Sequence, residues 1–255
     1  MTDILTIPRK KAGRAVTVQD KRDFDHFASN YNEALQEGLK VTGESAEYFV
    51  RGRVRWMQRL LRELGEGPRK VLDFGCGTGG NSAALLEIEG IDEVVGTDIS
   101  LESLETARRT HVGATNIRFA GLDQIPADGS FDLAFCNGVF HHIAPAQRAA
   151  AIARIGRWLR PGGVFALWEN NPWNPGTRYV MSRIPFDRDA VALTPPETRQ
   201  LVRDGGFKVL ATHFLFFFPR FLSWCRPIEA MFSRVPLGGQ YVVFCRKPAG
   251  ESAAL

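Results

Sequence analysis

An α/β domain built on a mainly parallel sheet is predicted by three observations. After Pro68, short apolar runs of strand length alternate with amphipathic helical segments, the signature of a sheet covered on both faces. The first of these runs, Val71-Leu72-Asp73-Phe74, passes directly into Gly75-Cys76-Gly77-Thr78-Gly79-Gly80, a loop almost without side-chain bulk. The second run closes on an acid, Asp98, about twenty residues beyond that loop.

Taken in order, residues 1–20 carry a basic stretch, Arg9-Lys10-Lys11 to Arg14, and read as a solvated tail. Residues 21–64 read as helical and form a cap over 21–66. Phe24, Phe27 and Tyr31 stand at helical spacing, and a second apolar series from Tyr48 through Leu64 ends at Gly65. The predicted strands are 70–74, 93–97, 117–120, 133–136, 164–168, 208–216 and 241–246. The predicted intervening helices are 80–89, 101–111, 145–159 and 195–204. Two stretches break the alternation. Residues 170–193 are rich in Pro, Asn and Arg, and residues 219–239 separate the last two strands; segments of this length in a compact domain usually cover or line a site. The main domain is therefore placed at 67–248, with a short tail at 249–255.

Bulk properties narrow the function class. A chain of 255 residues with 44% hydrophobic and 24% charged residues fits one globular α/β domain with an added cap. The net charge of +4 is scattered rather than gathered into an aromatic-studded stripe, so no nucleic-acid partner is expected. Cys76, Cys136, Cys225 and Cys245 lack metal-type spacing and read as reduced thiols of a cytoplasmic protein, with no metal expected. The longest greasy run, Phe214 to Phe218, stops at Pro219 and is too short to span a bilayer. Peripheral membrane contact stays open, as does the choice between monomer and homodimer.

The chemistry follows from where acids and amides fall. Glycines permit backbone conformations closed to other residues and let a ligand approach the main chain, beside the free N–H groups of the helix that starts near Asn81. Asp98 closes a strand where a carboxylate can accept bonds from both ribose hydroxyls, while Ser100 is the better cap for the next helix. Asp123, after Leu122 at the end of the third run, is placed to reach an adenine amino group. Asn137 ends the fourth run, ahead of His141-His142.

With Pro161-Gly162-Gly163 turning into the fifth run, these motifs make the chain resemble a class I S-adenosylmethionine-dependent methyltransferase of the bacterial small-molecule type, over about 70–247. The resemblance implies a Rossmann-like, doubly wound seven-stranded sheet in the order 3-2-1-4-5-7-6, with the last strand antiparallel. It implies S-adenosylmethionine as cofactor and S-adenosylhomocysteine as product. Asp73, Gly75, Cys76, Gly77 and Asn137 would hold the methionine moiety, Asp98 and Ile99 the ribose and one adenine face, and Leu122 and Asp123 the adenine. Tyr31, in the pattern Phe24-Asp25-x-x-Ala28-x-x-Tyr31, would lie over the cofactor. Arg53 would pair with the methionine carboxylate, with Arg51 and Arg55 competing for the role. His141 is the first candidate for a general base and Glu169 the second, while His142 is more often structural in similar sequences.

The expected function is methyl transfer to a small-molecule acceptor, apolar or lipid-linked and anionic. Aromatics of 214–232 would cap it, and Arg178, Arg183 and Arg220 would meet its charge. Glu169, Asn170 and Trp173 would line the pocket. A non-catalytic cofactor-binding protein and a nicotinamide-dependent oxidoreductase are the alternatives, the latter disfavoured by the tight Gly-x-Gly-x-Gly spacing.

Overall fold

A computed structural model describes residues 31–187 and 190–249, with side chains from Leu35 onward. The predicted tail at 1–20 and the start of the helical layer at 21–30 lie outside the described residues, as do 250–255.

The described residues open with α1 (Tyr31–Leu39), a single turn of 3-10 helix and α2 (Ala46–Glu63). The predicted helical layer is therefore divided: Gly43, at φ 73°, ends the first part, and Ser45 starts the second by accepting the Tyr48 N–H. Along α2, Val54, Met57 and Leu61 recur every three or four residues and are buried against the sheet, while Arg51, Arg55 and Arg59 face outward.

Seven strands follow: β1 (Lys70–Phe74), β2 (Glu93–Asp98), β3 (Ile117–Gly121), β4 (Phe131–Asn137), β5 (Leu159–Asn170), β6 (Lys208–Leu215) and β7 (Gln240–Arg246). Their order is β3-β2-β1-β4-β5-β7-β6. The first five neighbour one another in parallel, and β7 runs antiparallel between β5 and β6. This is the predicted order, and it differs from the 3-2-1-4-5-6 arrangement of dinucleotide-binding domains, which removes the oxidoreductase alternative.

Parallel strands buried on both faces read as near-continuous apolar runs, and side-chain alternation divides them between two cores. Leu72, Phe74, Ala134 and Cys136 enter one cluster with α5 (Pro145–Trp158) and α7 (Pro195–Asp204). Val71, Leu133 and Phe135 enter the other, with α2 and α3 (Gly80–Leu85). The remaining helices are α4 (Leu101–Thr110), capped by Ser100 through the Ser103 N–H, and α6 (Pro175–Arg183), capped by Asn174 through Thr177.

Three boundaries depart from the sequence expectation for physical reasons. β6 stops at Leu215 because Phe216 adopts φ 64°, a left-handed conformation that no strand continues through. β5 begins five residues early, at Leu159, with Pro161-Gly162-Gly163 forming an irregularity inside it and Gly162 at φ 78°. α3 ends at Leu85 rather than 89, since the next N–H groups reach back only three residues. The two irregular stretches carry structure of their own: 170–193 contains α6, and 219–239 contains a kinked 3-10 segment, Arg220–Phe232. Among the described residues no helix is long and apolar enough to cross a membrane.

Trp158 closes α5 at 2% exposure and donates its indole N–H to the Ile125 carbonyl at 3.2 Å. Trp158→Ala is expected to cost about 3–5 kcal/mol, from a cavity and an orphaned carbonyl. Urea unfolding that shifts the midpoint by less than about 1 kcal/mol equivalent would contradict this packing.

Candidate active site

Parallel register brings the carboxyl ends of β1, β2, β4 and β5 to one edge of the sheet. Asp98 pairs with Gly121, Asn137 with Trp168, and Asn170 with Gln240. Between β1 and β4 the winding reverses direction, which opens the crevice where doubly wound sheets take ligands. A cavity of about 500 Å³ lies there.

The glycine loop forms its floor. Gly75, Gly77 and Gly79 all have positive φ, at 72°, 53° and 85°. A Cβ on Gly75 would stand 2.3 Å from the Val139 side chain, whereas one on Gly77 or Gly80 would meet nothing within 4 Å. The loop is thus packed from below and open from above. Asp98 holds it in shape: Oδ2 accepts the Gly77 N–H at 2.9 Å and Oδ1 the Ser100 N–H at 2.9 Å. Like Asp73, Asp98 does not line the cavity itself; it acts on the site through the loop it braces.

Asp73 sits beneath the loop, 1% exposed, and accepts the Ser82 hydroxyl at 2.6 Å. It does not line the cavity. Burial pushes its pKa up to about 7, with the Ser82 hydrogen bond opposing the rise, Asp98 adding to it and Arg53 countering it. Asn137 faces the cavity, and its Oδ1 is buried without a hydrogen-bond partner in the protein. Such an atom is costly unless a ligand donor meets it.

Arg53 reaches the cavity from α2 and donates to Gln240 Oε1 at 3.0 Å and Asn81 Oδ1 at 3.1 Å. Arg51 and Arg55 are exposed, so of the three competing arginines Arg53 is the one that the fold turns inward. Cys76 also lines the cavity, and burial pushes its thiol well up, leaving it neutral. Ile99 is half-buried outside the cavity wall. Leu122 is half-buried as well, and Asp123 points to solvent and pairs with Arg154 at 3.2 Å, so neither lines the cavity. Tyr31 opens α1, and its side chain lies outside the described residues.

Opposite the glycine loop stand two histidines. His141 Nδ1 lies 2.6 Å from Glu169 Oε2, and the other oxygen of Glu169 accepts the Phe140 N–H at 2.8 Å. Nε2 of His141 and Nε2 of His142 both face Asp187 Oδ1, at 3.5 Å and 3.3 Å. Burial opposes the imidazolium of His141, yet Glu169 and Asp187 outweigh it and hold its pKa up to about 10. Both ring nitrogens of His141 thus face carboxylate oxygens, an arrangement that favours its protonated form. Glu169, 1% exposed and engaged by two donors, stands behind His141 and orients it. His142 lines the cavity instead of serving only the helix start, and burial pulls its pKa down.

Sequence reasoning missed Asp187, Asn81, Gln240 and Arg148. Arg148 is buried on α5 and donates to the carbonyls of Phe140, Ile143 and Val191, fixing the histidine loop against 190–193. Asp187 had no local signal, because 46 positions of chain separate it from His141 and only the cover segment brings them together.

Residues 71–163, which span β1 to the start of β5, match the family model for a methyltransferase domain. Residues 71–163 thus carry a methyltransferase domain. Similar proteins include an uncharacterized methyltransferase of Synechocystis, 37% identical over 119 residues, covering 46% of this chain and 55% of that protein. An O-methyltransferase of Pyrenophora dematioidea is 28% identical, covering 61% of each chain. A second O-methyltransferase, from Aspergillus sclerotiorum, is 27% identical, covering 60% of this chain and 62% of its own. The chain thus spans 55% to 62% of the length of these relatives. Among solved structures, an S-adenosylmethionine-dependent methyltransferase from Mesorhizobium loti superposes with a TM-score of 0.52 at 22% identity, covering 71% of this chain and 91% of that one. The [4+2]-cyclase SpnF superposes at 0.54 with 19% identity, covering 76% and 80%. At these identities the likeness concerns the fold.

The methyltransferase domain's residues fit its cofactor: the open loop above Gly77 and Gly80 admits a ligand against the main chain, and Asn137 Oδ1 awaits a donor.

Two outcomes are expected. Gly75→Ala should abolish S-adenosylhomocysteine binding in calorimetry, because its Cβ has no room and φ 72° disfavours any side chain. Asp73, with a native pKa of about 7 above the ordinary 3.8, favours its neutral form in the fold. That contribution is complete below the unfolded pKa and is lost as pH rises through about 7. Asp73→Asn should therefore gain melting temperature relative to the parent as pH rises from 5 to 8. An unchanged difference across that range would refute the buried-acid assignment.

Proposed function

We propose that the chain transfers the methyl group of S-adenosylmethionine to an oxygen of a small, largely apolar acceptor. The observation that carries this reading is continuity. One cavity runs from the glycine loop and the unpartnered Asn137 Oδ1 to the His141–His142–Asp187 cluster, so a bound cofactor and an acceptor would share a single cleft.

The chemistry asks little of covalent groups on the protein. The sulfonium supplies an electrophilic methyl. When bound, S-adenosylmethionine would supply that methyl to an acceptor oxygen, whose hydroxyl proton would leave to water as S-adenosylhomocysteine is released. What the chain contributes is alignment and exclusion of water, effects that can supply roughly 7–11 kcal/mol. Arg53 and Asn81 at one end, with Asn137 between the halves, supply polar anchors for the amino acid portion of the cofactor. Asp98, already bracing Gly77, is the acceptor assigned to the ribose, and Leu122 with Asp123 are assigned to the adenine rim outside the cleft.

The acceptor half is greasy. Leu39, Met181, Ile184, Phe217 and Phe221 contribute to its wall, from α1, α6 and the two cover segments. Among the described residues that line the cavity, Arg53 is the one arginine, and there is no lysine. Arg183 lies on the Tyr179 ring and donates to its hydroxyl at 2.8 Å, Arg220 reaches the Gly43 carbonyl, and Arg178 is exposed. These contacts favour an apolar acceptor body over one clamped by several arginines. Trp173 is 46% exposed and not part of the wall. Along the segment Arg220–Phe232, which supplies Phe221 to the wall, Phe221 and Trp224 are each 77% exposed and Met231 is 81% exposed, which supports an acceptor taken from an apolar or interfacial environment. The two O-methyltransferase relatives support oxygen as the receiving atom.

The test is product formation with a panel of phenols, apolar alcohols and apolar carboxylic acids, read by mass spectrometry for methylated product and S-adenosylhomocysteine. Asn137→Ala should weaken S-adenosylhomocysteine binding about three- to tenfold, the equivalent of one hydrogen bond, and Asp98→Ala should weaken it further, since loop and ligand both lose an acceptor. A protein that binds S-adenosylhomocysteine yet methylates no oxygen across the panel would end the oxygen reading. Absence of binding to the folded protein would end the cofactor assignment itself.

A further inference from the structure

His141 and His142 are consecutive residues whose Nε2 atoms converge on the same oxygen of Asp187. All three donor atoms lie within 4.8 Å of one another, and His141 and Asp187 are almost fully buried. The separations decide what this arrangement is suited to. Charge-assisted hydrogen bonds close to about 2.7–2.9 Å, as His141 Nδ1 does with Glu169 at 2.6 Å. The contacts to Asp187, at 3.5 Å and 3.3 Å, are longer. Donors held at 2.0–2.1 Å from one tetrahedral ion lie about 3.3–3.4 Å apart, whereas adjacent corners of an octahedron with the same bonds lie about 2.8–3.0 Å apart. The two separations from Asp187 Oδ1 are close to those of a tetrahedral edge.

A second feature points the same way. A histidine that binds a metal through Nε2 is normally fixed by an acceptor at Nδ1, and Glu169 occupies that position for His141 while being held itself by the Phe140 N–H. The charges also balance: two buried carboxylates, Glu169 and Asp187, with two neutral imidazoles would compensate a doubly charged ion. Sequence spacing could not reveal this set, because its donors come from the β4–α5 connection and from the short 3-10 helix Pro185–Asp187 after α6.

We propose that His141, His142 and Asp187 form a mononuclear site for a divalent transition ion, zinc by donor type and spacing, with its fourth position turned to the acceptor half of the cavity that all three residues line. Resting on the oxygen-transfer reading, the ion ligates the acceptor oxygen and acidifies its hydroxyl. The hydroxyl proton leaves to solvent water, and the oxygen lone pair then forms the bond to the methyl group. The ion takes the place of the proton on His141 Nε2 and leaves Nδ1–H directed at Glu169.

The experiment is titration of tag-free, metal-stripped protein with cobalt(II), read by the visible d–d absorption that reports a tetrahedral site, and with zinc, read by competition and elemental analysis. One equivalent of either ion is expected, with tetrahedral cobalt intensity. His142→Ala and Asp187→Asn should lose that equivalent, and Glu169→Gln should keep the stoichiometry while weakening affinity about 10–100-fold. S-Adenosylhomocysteine binding, measured on the same variants, establishes that they are folded. No stoichiometric binding to the folded parent protein overturns the site, and so does an equivalent that survives in both ligand variants. Metal binding in a protein that does not bind S-adenosylhomocysteine would uphold the site and discard the methyl-transfer reading, which keeps the two failures distinct.

Discussion

Two carboxylates, Glu169 and Asp187, are buried on either side of one imidazole, and this electrostatic constraint organises the acceptor half of the molecule. An isolated buried charge costs several kcal/mol, so each acid must be met by donors or cations at close range. Glu169 meets that demand with the Phe140 N–H and His141, locking the end of β5 to the loop that leaves β4. Asp187 meets it with both histidines, locking the short helix after α6 to the same loop. Arg148 then ties the loop to residue 191 through carbonyls that would otherwise lack partners. The cover segment is therefore positioned by charge satisfaction at its base, while its apolar side chains shape the cavity above.

The cofactor half is organised by a different economy. Its glycine loop has main-chain donors and almost no side chains, and Asp98 at the end of β2 satisfies one of those donors. Asp73 works underneath, joining β1 to α3 through Ser82, in a setting dry enough to raise its pKa to about 7. Asn137, placed between the halves by the β4–β5 register, leaves a buried acceptor for a ligand. Rigid strands thus set the cofactor half, and long-range side-chain contacts set the acceptor half.

This division explains why related folds run different chemistry. The fold is shared in outline with structures at about 20% identity, one of them a cyclase. The part that meets the second reactant is built from α1, α6 and the segment Arg220–Phe232, which a chain can change without disturbing the strand order.

Much of the cofactor half was legible in the sequence. The strand runs, the Gly-x-Gly-x-Gly loop, Asp98 and Asn137 are local signals, because strand propensity, positive-φ glycines and strand-end acids act over a few neighbouring residues. Strand boundaries were read to within two residues except at the start of β5, which lies five residues ahead of the expected one, before its glycines. The choice of Arg53 over Arg51 and Arg55 required the helix phase relative to the sheet, and the outward turn of Asp123 required knowing that Arg154 lies beside it. The histidine cluster was legible only in part. His141, His142 and Glu169 were visible as residue types, but whether an imidazole accepts, carries or shares a proton depends on which charges are buried beside it. Asp187 arrives from a distant segment, and only the tertiary structure decides that, because burial and electrostatic pairing are properties of the packed chain rather than of any stretch of it.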